Sequence, residues 1–86
     1  MNIINGIAGE MLSVRDRGLA YGDGVFRTFP VRARKPVLWQ RHYAKLAHDC
    51  NALQIKCPSR EILERDIGLL DAADCAVKII VTRGDS

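Results

Sequence analysis

No apolar run in this chain approaches the roughly 20 residues that a membrane-spanning helix needs, so no membrane partner is expected. The N-terminus lacks a basic region followed by a long apolar core, which argues against a secretion signal. Cysteine is scarce and odd in number: Cys50, Cys57 and Cys75 are the only three. An odd count without a secretion signal reads as reduced thiols in a cytoplasmic protein. Neither sign of charge is in great excess. A formal net charge of +3 suits an anionic ligand but is too small to demand nucleic acid. Repeats, low-complexity tracts and linkers are missing. His42, His48, Cys50 and Cys57 are not spaced as two close ligand pairs, so no metal site is expected.

What is present suits one small globular unit, residues 1–86 as a single domain. The hydrophobic share of 48% is ordinary for a packed chain. A domain of this size buries only about 60–65% of its unfolded surface, so its core has little to spare. Three glycines fall within seven residues, at Gly18, Gly22 and Gly24. Such clusters mark positive φ or close approach of backbone to something else. Gly22-Asp23-Gly24 reads as a turn feeding a strand.

In chain order, Asn2 to Ile4 and Ile7-Ala8 flank Asn5-Gly6, a two-residue hairpin signal. Met11, Leu12 and Val14 supply a further short apolar segment. One helical turn is expected around Arg17 to Tyr21. Val25 to Arg32 alternates as a strand, with Val25, Arg27, Phe29 and Val31 on one face. Pro30 cannot donate to a ladder, which predicts an edge or a bulge there. A second strand is expected over Pro36 to Trp39. Tyr43, Leu46, Ala47, Cys50 and Leu53 recur at helical spacing within Arg41–Leu53. His42, Lys45 and Asp49 share a neighbouring face of that helix. After the break at Cys57-Pro58, Ser59 caps a second helix over Ser59–Leu70, with Ile62, Leu63, Ile67 and Leu70 on its apolar side. Cys75 to Thr82 is apolar on both faces, which predicts a central strand covered on two sides. The fold class is therefore α+β, a mainly antiparallel sheet with two helices on one face.

Asp16-Arg17-Gly18, Tyr21-Gly22-Asp23-Gly24-Val25-Phe26, Lys35-Pro36-Val37-Leu38, His42-x-x-Lys45-Leu46 and Val81-Thr82-Arg83-Gly84 stand in order along nearly the whole chain. Together they resemble the signature of the class IV pyridoxal-phosphate-dependent aminotransferase family. The short start before Asp16 and the run His48 to Leu53 make the chain most similar to the N-terminal part of the aminodeoxychorismate lyases. That resemblance implies the N-terminal domain of a longer homodimeric enzyme that uses pyridoxal 5′-phosphate. It implies pyruvate elimination from 4-amino-4-deoxychorismate, giving 4-aminobenzoate for folate synthesis. A branched-chain or D-amino-acid aminotransferase is the neighbouring alternative.

The resemblance places the catalytic lysine downstream of Ser86, so none of the chain's own residues is assigned a catalytic role and the chain alone is expected to be inactive. One cofactor contact maps onto the chain. The family's phosphate-binding arginine falls at Lys45, which offers a point charge in place of a bidentate fork. Arg27 needs a partner on its apolar face, and a substrate carboxylate competes there with simple snorkelling to water. Tyr21 lies in the signature and is a second candidate for substrate contact.

A reading from another class is a stand-alone small basic binding module. Arg27, Arg32, Arg34, Lys35 and Arg41 surround Trp39 and Tyr43, a mixture compatible with single-stranded nucleic acid. The same charges also fit an ordinary solvated face.

Overall fold

The computed structural model describes residues 1–85. Asn5 and Gly6 both take positive φ, 53° and 83°, the geometry of a tight primed turn. They close a hairpin of β1 (Ile3–Ile4) and β2 (Ile7–Ala8), paired Ile3 to Ala8 and Ile4 to Ile7. Met11, Leu12 and Val14 follow as exposed coil, not as a packed apolar segment. The glycine-rich stretch forms α1 (Arg17–Tyr21) and opens β3 (Gly24–Arg32).

β3 is the middle of a three-stranded antiparallel sheet, between β4 (Lys35–Pro36) and β5 (Cys75–Thr82). Its pairing with β5 is continuous from Gly24 opposite Thr82 to Val31 opposite Cys75, with no bulge. Pro30 is accommodated on the other side. Its carbonyl accepts from Val37 N at 2.9 Å, so its missing N–H also points toward β4, where the two-residue ladder stops. The expectation of an edge thus holds for that side of β3 alone.

The expectation for the last strand is corrected. β5 is an edge strand of this sheet, and one of its faces stays open among the described residues. Ile80 there is 60% exposed, as is its cross-strand neighbour Phe26. Apolarity on both faces is a statement about what could cover a strand, and within this segment only one layer is supplied.

The predicted second hairpin strand is also shorter than its pattern. Ala33 and Arg34 make the turn at positive φ, and Leu38 at φ 56° leaves the extended region and starts α2 (Trp39–Ala52). Trp39 is therefore helical, with its ring 5.5 Å from Phe29 and 5.7 Å from Tyr43. α3 (Arg60–Gly68) is capped as its sequence indicates, Ser59 accepting from Ile62 N. The Tyr43 hydroxyl donates to Pro58 O at 2.8 Å and pins the connection between the two helices.

Both long helices cover the Val25/Phe29/Val31 face. Leu46, Cys50, Ile55, Leu63 and Val81 form one buried cluster, and Phe29, Val31 and Ile67 form another. Within the predicted stripes Leu53 and Ile62 are exceptions, at 45% and 49% exposed. The remaining pattern gives the α+β arrangement expected, an antiparallel sheet with two helices on one face.

Candidate functional site

The signature around Asp16 is a latch. Asp16 caps α1 by accepting from Leu19 N, and its other oxygen accepts from the Thr82 hydroxyl at 2.7 Å. Thr82 Oγ1 in turn accepts from Gly84 N, while Arg17 N donates to Gly84 O. The Thr82 bond, foremost, holds the Asp16 carboxyl below its ordinary value against the opposing effect of burial. Asp23 takes both Arg83 Nε, at 2.7 Å, and Arg17 Nε, at 2.9 Å. Arg83, first, and then Arg17 keep that carboxyl ionised below its usual range. Arg83 also donates to Leu53 O and Gln54 O, so the end of α2 is tied into the same network.

The glycines serve that latch. A Cβ on Gly18 would overlap Thr82, and one on Gly24 would sit 2.6 Å from Val81 O. Gly22 closes α1 at φ 66°, where a side chain is disfavoured. These residues lock α1 and the start of β3 to the end of β5. Apart from the glycines and the helical turn, sequence reasoning missed this network. Its local signal was Asp16 standing three residues before Leu19 as an N-cap; Thr82 and Arg83 carried none.

The three candidate ligand residues are distributed unevenly. Lys45 projects from α2 with half its side chain exposed and donates to Asp49 at 3.0 Å, one turn on. Lys45, first, holds the Asp49 carboxyl below its ordinary value. Arg27, on β3, reaches α2 one turn before Lys45 and meets His42 Nδ1 at 2.9 Å. It does not simply snorkel to water, because its Nε is buried and has no partner. His42 also lies 5.2 Å, ring to ring, from Phe29, and burial, then Arg27 and Arg41, push its pKa down. Arg27, His42 and Lys45 thus belong to one region. Tyr21 is elsewhere, on α1, 70% exposed under the Arg17 guanidinium.

These side chains suit an anion. An ammonium has three donors, and Asp49 occupies one of Lys45's. The donor set therefore fits a phosphate monoester such as that of pyridoxal phosphate. None of the four lysines is prepared by burial for imine chemistry: Lys35, Lys45, Lys56 and Lys78 are all exposed. Lys78 lies over the Phe26 ring on the open sheet face. No group of metal-ligating residues assembles among the described residues, and no described helix is long and apolar enough to cross a membrane. Trp39 and Tyr43 are half-buried against their neighbours, with Trp39 Nε1 donating to Glu64, which leaves them poorly placed to stack on bases.

The architecture is shared with solved structures. A 4-amino-4-deoxychorismate lyase from Pseudomonas aeruginosa matches over 95% of the chain at 45% identity, with a TM-score of 0.86. The fold IV transaminase CpuTA1 from Curtobacterium pusillum matches over 90% at 28% identity and a TM-score of 0.72. A hypothetical aminotransferase from Mycobacterium tuberculosis, in a PLP-bound form, shares the fold over 91% of the chain, at 24% identity and a TM-score of 0.79. The chain spans 30–31% of the length of these three proteins. No family model matches it.

Proposed function

We propose that this chain, which shares its fold with the class IV pyridoxal-phosphate enzymes and is 45% identical to the matched part of the Pseudomonas aeruginosa lyase, is the N-terminal domain of an aminodeoxychorismate lyase. The observation that carries the choice of lyase over transaminase is the higher identity, 45% against 28%, over a similar share of the chain. The proposed reaction releases pyruvate from 4-amino-4-deoxychorismate and leaves 4-aminobenzoate. The complete enzyme is proposed to work as a cytoplasmic homodimer.

Lys45 is the residue we assign to the cofactor. Its ammonium would hold the 5′-phosphate, with Asp49 fixing the stem through the 3.0 Å bond. When bound, pyridoxal phosphate supplies a carbonyl for imine formation and a ring that withdraws electrons from the amine carbon. The imine-forming lysine is proposed to lie outside this segment, because no lysine here is shielded from water. Tyr21, exposed on α1, is proposed to meet substrate only from outside this segment.

The test uses the full-length enzyme. Pyruvate should appear from aminodeoxychorismate without any added keto acid. Amino transfer to a keto acid with no pyruvate would replace the lyase reading with a transaminase. Lys45→Ala should weaken cofactor retention, and Lys45→Arg should preserve it. Equal retention in all three proteins would remove Lys45 from the site.

A further inference from the structure

Nine arginines punctuate the chain, and Arg27 differs from the rest. Arg17, Arg60, Arg65 and Arg83 each lie within ion-pair distance of a carboxylate. Among the described residues Arg15, Arg32, Arg34 and Arg41 have no such partner but are exposed to water. Arg27 alone, among the described residues, is half-buried and without a carboxylate. Its Nε is buried with no partner. A charge withdrawn from water needs a counter-charge or hydrogen bonds, and this one has a single bond to a ring nitrogen.

That bond fixes the state of the histidine. Guanidinium can only donate, so His42 Nδ1 must accept, and the imidazole proton sits on Nε2. Arg27 from β3 and Arg41 from its own helix face His42, and both disfavour its protonation. One turn on, Lys45 and Asp49 offset each other. The Phe29 ring against His42 and the strand partner Ile79 opposite Arg27 bring no charge. The result is a guanidinium held in place by an imidazole acceptor, in a net positive field.

We propose that Arg27 and His42 form an oxyanion-binding pair beside Lys45, with Arg27 supplying charge and His42 holding the guanidinium in place. The ligand group it takes is a carboxylate. The existence of the pair stands independently of the lyase reading; only the identity of the natural ligand rests on that reading. The pair explains why an arginine is kept on a strand face otherwise made of Val25, Phe29 and Val31.

The experiment follows the two histidine side chains of this chain by NMR while sodium benzoate or inorganic phosphate is added. His48, three-quarters exposed, is the internal control. A saturable change at His42, with its pKa rising on binding and His48 unmoved, is expected with benzoate. The response should survive Lys45→Ala and weaken roughly tenfold or more in Arg27→Gln, where the charge is gone but a hydrogen-bonding side chain remains. Arg27→Gln should also raise the His42 pKa without ligand, and its backbone amide spectrum confirms folding. A response to phosphate alone that disappears in Lys45→Ala would give the pair to the cofactor and overturn the carboxylate assignment. No saturable change at His42, or an unaltered one in Arg27→Gln, would overturn the site itself. If benzoate fails here while cofactor retention in the full-length enzyme still depends on Lys45, this inference falls and the proposed function stands.

Discussion

Thr82→Val should undo the latch while leaving its packing. The hydroxyl donates to Asp16 at 2.7 Å and accepts from Gly84 N at 3.0 Å. Valine keeps a branched side chain against Gly18, so the loss is confined to those two bonds. A bond to a carboxylate is worth about 1.5–3 kcal/mol and a neutral one about 1, which sums to about 2.5–4 kcal/mol. A chain of this size is stable by roughly 4–13 kcal/mol in all. The melting temperature should fall by about 10–30 °C. The pH dependence separates the hydroxyl from simple misfit. The Asp16 carboxyl is held below its unfolded value of 3.8, so its contribution is present above that pH and is lost as pH falls through the folded value. The gap between wild type and Thr82→Val in urea unfolding should be full at pH 7 and should narrow near pH 3. Thr82→Ser, which retains the hydroxyl, should keep the acid dependence. A gap of the same size at both pH values, or no gap at all, would refute the hydrogen-bond account.

Gly24→Ala should destabilise by on the order of 2 kcal/mol, because its Cβ would meet backbone at Val81 O. Gly68→Ala, at the end of α3 with nothing within 4 Å, should instead stabilise by up to about 1 kcal/mol; urea titration of both variants gives the comparison, and equal effects would contradict the close-approach argument. Burial, foremost, pushes the Cys50 thiol up to about 11 from 9.0, so its contribution to stability is present below pH 9 and is lost as pH rises toward 11. Iodoacetamide at pH 8 should label Cys57 and Cys75 before Cys50; early labelling of Cys50 would show that the α2 core opens readily. Incubation of the chain with pyridoxal phosphate, then borohydride, should give scattered partial adducts on its four exposed lysines and no pyruvate from aminodeoxychorismate. One lysine labelled stoichiometrically, with pyruvate released, would make this short chain a complete enzyme.

Local pattern determined most of the elements. Asn5-Gly6 specified its turn because few other pairs tolerate positive φ at both positions. Ser59 specified the start of α3 because its hydroxyl accepts from Ile62 N. Alternation along β3 and the helical spacing of Leu46 and Cys50 already named the residues that meet in the core. Lys45 was legible as a candidate only through the ordered signature, since nothing in its local surroundings distinguishes it from a solvated lysine.

Tertiary structure decided what lies between distant segments. The apolar run at β5 carries no information on how many layers will cover it, and it is an edge because no further strand among the described residues pairs beside it. The latch joins Asp16 to Thr82 and Asp23 to Arg83 across some 60 residues of chain, a separation over which sequence spacing has no geometric meaning. Arg27 and His42 lie on different elements. Strand alternation turned Arg27 toward the helices and helical periodicity set His42 on the face beside the apolar stripe, but only the packing of α2 on β3 brought Nη2 to Nδ1. Local rules choose each element and the face it presents; contacts between faces exist only once the elements are packed.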